Sequence, residues 1–354
     1  MKDNALADYA RKHGHVPLSW AGSTTSMDYI NIGDALSPVM VSLLSGLDVL
    51  RIPSKSQSLR MGCVGTIGHG FAGGEVYFWG TGSSLWSNPS APREEWKPFE
   101  IGPDSRFVVT ATRGPVSEKI LTGGKEGSVG VYGDPVWLLP RFYAPAIPKK
   151  WKLGIIVHLS ELSDRATEAH LRPELVRYQI PEGLRDHVHI INTVGPISVG
   201  AIRDKLDEIL ACERIVSTSL HGMVFAESYG IPCLHFPTQG PQGLNERDLG
   251  EGCTLDLRVI DLYRGLGLSS LPVYSQPAAQ PTDWDALIDS IDTAWSPRAF
   301  DDQALIDAFP VDYNPLVAPE GKTIWEHPVL TGLALQHDVK ELGRLDKMRN
   351  KANA

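Results

Sequence analysis

The chain has 354 residues, 42% hydrophobic and 21% charged, a balance ordinary for a soluble globular protein with room for two domains. Its net charge of −9 argues against a general nucleic-acid-binding surface but leaves room for a local cationic pocket. The four cysteines, Cys63, Cys212, Cys233 and Cys253, form no C-x-x-C pair, which removes zinc-ribbon and thioredoxin-like readings and favours core thiols in a reducing compartment. The opening stretch, residues 1–14, lacks the apolar core of a signal peptide, and no run approaches the ~18 apolar residues of a spanning helix, so a cytoplasmic protein is expected.

Residues 16–20 read as a strand. A Ser/Thr-rich loop leads to Asn31-Ile-Gly-Asp34, expected as a strand-to-helix turn. There Gly33 allows close backbone approach and Asp34 caps a helix over residues 39–44. Residues 60–65, 75–79 and 106–111 read as strands, and 114–121 as a helix with Pro115 in its first turn. Residues 129–132 are expected as a short strand ending at Gly133-Asp134-Pro135, and the Pro-rich stretch 139–150 as a linker. Strands are then expected at 153–158 and 187–191, followed by an amphipathic helix over Val199–Leu210 with Ile202, Leu206, Ile209 and Leu210 on its apolar face. Later helices fall near 259–266, Trp284–Ala294, 302–309 and 333–348.

The most informative segment runs from Arg214 to Phe236. Ile215 and Val216 end in three hydroxyl residues, Ser217, Thr218 and Ser219; residues 223–226 suit a buried helix, and Gly230 suits its left-handed cap. His221 therefore stands in the first turn of a helix just past a strand, where open α/β sheets bind ligands and where helix N-termini favour anions. The plainer alternative makes Ser217 or Ser219 an N-cap and His221 the partner of a backbone carbonyl. The strand–helix alternation predicts an α/β protein of two Rossmann-like doubly wound domains facing a cleft, residues 1–147 and 148–296. A helical segment, 297–354, then packs back on the first domain or meets another subunit.

Several pieces taken in order resemble the polysaccharide pyruvyltransferase family: Asn31-Ile-Gly-Asp-Ala-Leu36, Trp79-Gly-Thr-Gly82, Thr110-Ala-Thr-Arg-Gly-Pro-Val-Ser117, Tyr132-Gly-Asp-Pro135, Ser217-Thr-Ser-Leu-His-Gly222 with Ala226-Glu-Ser-Tyr-Gly-Ile-Pro232, and Asp261-Leu-Tyr-Arg264. The resemblance implies a glycosyltransferase B-like architecture. It also implies an enzyme that moves pyruvyl from phosphoenolpyruvate onto two hydroxyls of a sugar as a ketal, in the making of acidic exopolysaccharides, capsules or wall polymers. No metal or organic cofactor is implied. The implied acceptor is a sugar or lipid-linked oligosaccharide at the cytoplasmic membrane face. Many members carry Arg-Leu-His-Gly where this chain has Ser219-Leu-His-Gly222, so the arginine that would hold the donor is replaced.

Ketal formation needs a group that exchanges protons near neutral pH, and His221 is the candidate. Arg113 is expected to fork the donor's carboxylate or phosphate, the alternative being a surface ion pair. Ser217, Thr218 and Ser219 would complete the cradle. Asn31, Asp34, Thr81 and Asp134 are weaker candidates on the acceptor side of the cleft; Asp34 has capping as its alternative, and Asp134 a simple turn. Trp20, Trp79 and Trp86 suit a sugar platform or ordinary packing. Two other readings stay open. A nucleotide-sugar glycosyltransferase would need a ribose-holding carboxylate, for which Glu227 and Glu246 are the options. A non-catalytic sugar-binding partner in polymer synthesis is the third.

Overall fold

The computed structural model describes residues 4–124 and 127–352; Met1–Asp3 of the opening stretch lie outside them. Two parallel sheets organise the chain. The first contains β1 (His15–Ser19), β2 (Asp48–Arg51), β3 (Arg60–Cys63), β4 (Gly74–Trp79) and β5 (Ser105–Val109), in the order β2-β1-β3-β4-β5. The second contains β6 (Leu153–Ile156), β7 (Val188–Ile191), β8 (Ile215–Ser217), β9 (Cys233–His235), β10 (Gly243–Asp248) and β11 (Ser270–Ser275), in the order β10-β11-β9-β8-β6-β7. β3, β6 and β8 are buried along their whole length, as strands covered on both faces must be. β10 is antiparallel to β11 at the edge, and its burial alternates instead.

The helices are α1 (Ala5–His13), α2 (Ile32–Ser45), α3 (Pro115–Leu121), α4 (Val199–Leu210), α5 (Leu220–Ser228), α6 (Leu257–Gly265), α7 (Trp284–Ala294), α8 (Asp302–Asp307), α9 (Pro328–Thr331) and α10 (Val339–Ala352). Among them, α4 and α7 have the ends read from sequence. No helix among the described residues is long and apolar enough to cross a membrane.

Four expectations are corrected. The helix expected after Pro38 starts at Ile32, with Pro38 inside it; the proline withholds the amide that would reach back to Asp34, and burial of nearly every α2 residue compensates. The strand expected at 129–132 shrinks to a single parallel bridge between Tyr132 and Thr112, because the Glu118 carboxylate accepts the Val129 and Gly130 amides (2.6 and 2.9 Å). The helix expected from residue 333 begins at Val339, since Gln336–His337 pair instead with Ser23–Thr24. The linker also begins later than expected. Val136, Trp137, Leu138 and Leu139 belong to a short 3-10 turn, Pro135–Arg141, and are core residues.

Each sheet reverses its strand order once, between β1 and β3 in the first and between β6 and β8 in the second. The two reversals face each other. Ile30–Asn31 pair antiparallel with Val194–Gly195, and the Ile32 amide donates to the Thr193 carbonyl (2.9 Å), so the entry to α2 is tied to the chain leaving β7. One apolar cluster runs from Leu36, Val39 and Met40 of α2 into Val199, Ile202 and Leu206 of α4. Beyond Trp295 the chain returns to the first sheet. The Trp79 indole donates to the Leu305 carbonyl (2.8 Å), Asn314 and Leu316 amides donate to Leu44 and Leu43, and Ser56 donates to Asp346 of α10 (2.7 Å).

Candidate functional site

A cavity of about 270 Å³ lies where the two reversals meet. Ala21 follows β1, Gly65 and Thr66 follow β3, His158 follows β6, and Ser219 and His221 follow β8; Asn31, Asp34 and Arg258 complete the wall. Crevices past the C-terminal ends of strands at such reversals are the places where open α/β sheets hold ligands. A larger hollow of about 920 Å³, beside α3 and the end of α6, is lined by none of the candidate site residues. A lobe of about 390 Å³ adjoins the cavity and shares His158 and Arg258 with it.

His221 occupies the first turn of α5, as its position after β8 required. Its ring lies against the backbone of Gly33, where an added Cβ would come 2.1 Å from Nδ1. The glycine of one motif thus makes room for the histidine of another. Nε2 is buried and has no hydrogen-bond partner among the described residues. Burial pushes the imidazole down to about 3, and the Arg258 and Arg113 charges and His158 push the same way. The ring is neutral at pH 7 and can accept a proton.

Asn31, rather than Asp34, caps α2: its Oδ1 accepts from the Gly33 amide (3.0 Å). Asp34 sits one position further on and opens onto the cavity. Burial pushes its carboxyl up to about 7; Arg258 opposes the rise and Asp134 adds to it.

The three hydroxyl residues part company. Ser217 is buried, its Oγ accepting from the Ser219 amide (2.9 Å) and donating to the Ile156 or Ser219 carbonyl. Thr218 donates to Glu161, accepts from the His158 amide (2.9 Å), and faces the adjoining lobe. Ser219 lines the cavity as the N-cap of α5, yet its side chain makes no capping bond. The free first-turn amides of α5 and the N-terminus of α2 therefore converge on one small space.

Arg113 has a different setting from the one expected. It is 1% exposed; Nε donates to Asp261 (3.2 Å), Nη2 lies 3.1 Å from the same carboxylate, and Nη1 donates to Thr66 Oγ1 (2.7 Å). Asp261 also accepts the Val116 and Ser117 amides (3.0 and 3.1 Å) and the Ser117 hydroxyl. It acts as the cap that Gly114 cannot supply to α3. Gly82 gives the guanidinium its room, since a Cβ there would meet its carbon at 2.3 Å. Arg113 thus joins the two sheets and reaches the cavity only through Thr66. Thr81 is fully buried behind it and does not line the cavity. Asp134 is buried too, capping the turn at Val136 (3.0 Å), as its plainer reading had it. Burial pushes its carboxyl up to about 6 against the Val136 bond and the Arg113 charge. Trp20 and Trp79 are core residues, and Trp86 packs against Trp96 with ring centres 5.2 Å apart.

Sequence reasoning missed Arg258. It stands in the first turn of α6, paired with Asp256 (2.7 Å), and lines both the cavity and the lobe. Its Nη1 has no hydrogen-bond partner among the described residues. A cation in a helix's first turn opposes the dipole, and that signal was present at Arg258. Val64 was missed as well. Its φ of 56° is left-handed, a strained state for a β-branched residue, and it turns the chain from β3 into Gly65 and Thr66 at the cavity wall. Among the described residues no group of His, Cys, Asp or Glu is placed to hold a metal ion.

Fold and cavity define a two-sheet α/β protein with an anion-suited crevice between its strand-order reversals. Within it, residues 104–240 match the family model for polysaccharide pyruvyl transferase, so the resemblance read from the motifs stands on that stretch. The match covers less than half of the chain; it includes Arg113, Asp134 and His221 and stops short of Asp261. No curated protein and no solved structure matches the chain.

Proposed function

We propose that this protein transfers pyruvyl from phosphoenolpyruvate to two hydroxyls of a saccharide, free or lipid-linked, forming a cyclic ketal, on an architecture of the glycosyltransferase B kind. The observation that carries the reading is the convergence of the α2 and α5 N-termini and Arg258 on a cavity of about 270 Å³ that also holds a neutral His221, in a chain whose central stretch matches a pyruvyl transferase family. A three-carbon donor with two anionic groups suits that space and charge. Arg258 and the first-turn amides beside Ser219 would hold its phosphate or carboxylate. His221 would take the proton of the attacking hydroxyl and pass it to the departing phosphate. The adjoining lobe, open and rich in hydroxyl groups, would receive the saccharide. Neither carboxylate considered for a ribose, Glu227 or Glu246, lines the cavity or the lobe, and Glu227 is engaged by Tyr263 (2.9 Å) and Trp295 (3.2 Å).

The test is incubation with phosphoenolpyruvate and a defined saccharide. The expected product is heavier by one pyruvate less one water, with phosphate released only when the saccharide is present. Phosphoenolpyruvate alone should raise the thermal midpoint. A midpoint that responds to UDP-sugars and not to phosphoenolpyruvate would assign the cavity to glycosyl transfer instead.

A further inference from the structure

We propose that Asp34 is the acid that delivers a proton to the methylene carbon of the enol phosphate, working opposite His221 in the same cavity. The inference rests on the donor reading above and names a second group for its chemistry. Asp34 is the third residue of α2, and its predecessor Gly33 carries the His221 ring on its backbone, so acid and base both stand at the first turn of α2 and line one cavity. The carboxyl group lines the cavity and has no hydrogen-bond partner among the described residues. A structural role is already filled: Asn31 caps the helix. Gly65, left-handed at φ 79°, keeps the space beside the carboxyl open, since a Cβ there would come 3.3 Å from Oδ1. Asp134 behind it discourages ionisation, and burial does the same, so the group holds its proton to about pH 7.

The chemistry balances. The C2=C3 electron pair of the donor takes the Asp34 proton, forming a C3–H bond and a cation at C2 that the phosphate-bearing oxygen shares. The first sugar hydroxyl forms a C2–O bond and gives its proton to His221 Nε2. The C2–O bond to phosphate breaks, and the leaving group departs as hydrogen phosphate with the proton from His221. The second hydroxyl closes the ring and its proton returns to the Asp34 carboxylate. One hydroxyl proton ends in the new methyl group and the other on phosphate, with no oxidant, reductant or further reactant.

The experiment uses the full chain with phosphoenolpyruvate and a saccharide it converts. Asp34→Asn should lower kcat by about 10³-fold while KM for phosphoenolpyruvate stays within about threefold, and Asp34→Glu should recover part of the rate. The midpoint shift with phosphoenolpyruvate should persist in Asp34→Asn, which shows that the variant folds and binds the donor. Product made in deuterium oxide should carry one deuterium in its methyl group. An Asp34→Asn enzyme within about tenfold of the parent kcat, or one whose loss lies in KM alone, would overturn the assignment while leaving the donor reading intact. A parent enzyme that yields no ketal would remove the donor reading, and this inference with it.

Discussion

The two sheets meet through two clusters of motif residues, and the clusters treat their polar atoms in opposite ways. Around Arg113 the groups are mostly closed on one another: Asp261 accepts from the guanidinium Nε, from two α3 amides and from Ser117, and Nη2 has only its ion-pair contact with the same carboxylate. Around His221 the groups are left open: Nε2 is buried without a partner among the described residues, and the half-buried Asp34 and Arg258 line the same cavity. Satisfied buried polar networks fix structure, whereas unpaired buried groups are costly to stability and persist where a ligand meets them. Motif membership alone does not separate the two, since Arg113 and Asp261 of one and Asp34 and His221 of the other come from the same ordered set of sequence pieces.

Substitutions can break that contrast. The largest effect on rate is expected at the open cluster. His221→Ala should cut kcat by about 10³-fold with little change in thermal midpoint, measured by phosphate release and calorimetry. The largest effect on stability is expected at the closed one. Arg113→Ala leaves Asp261 buried and unpaired and should cost about 3–5 kcal/mol by denaturant titration. An Arg113→Ala protein that unfolds like the parent and merely binds donor poorly would erase the distinction. Arg258→Ala should raise KM for phosphoenolpyruvate by about 10- to 100-fold, since it removes a charge-assisted contact while the fold stays intact.

The smallest effect concerns pH. Asp34 has its folded carboxyl raised from 3.8 to about 7. The folded state therefore holds the proton more tightly, and the stability this brings is complete below about pH 4 and lost as pH rises through about 7. Asp34→Asn, with no charge to bury, should melt about 1–3 °C above the parent at pH 8, and the gap should close by pH 4. Over the same upper range parent activity should fall, as the acid loses its proton.

Much of this was legible in the sequence because local pattern determined it. The ends of α4 and α7 follow from apolar periodicity and from Ser198 and Asp283 caps, and His221 follows from its place after a short apolar strand. Two kinds of information were not local. Arg113 meets Asp261 across 148 residues of chain, so nothing near Arg113 announced that its charge was already neutralised. The start of α2 was hidden because Pro38 reads as a helix stop, and only the burial of almost the whole helix explains its tolerance. β10, Gly243-Leu-Asn-Glu-Arg-Asp248, is a charged edge strand without an apolar run to mark it.

The polypeptide passes from the first sheet to the second through residues 144–150 and comes back after Trp295, where Leu305, Asn314 and Leu316 fasten it to the first sheet. Two covalent spans, rather than one, join the halves. The Asn31–Val194 pairing and the buried Arg113–Asp261 ion pair tie the same seam without covalent bonds. Nicking either span would leave the fragments joined by the other.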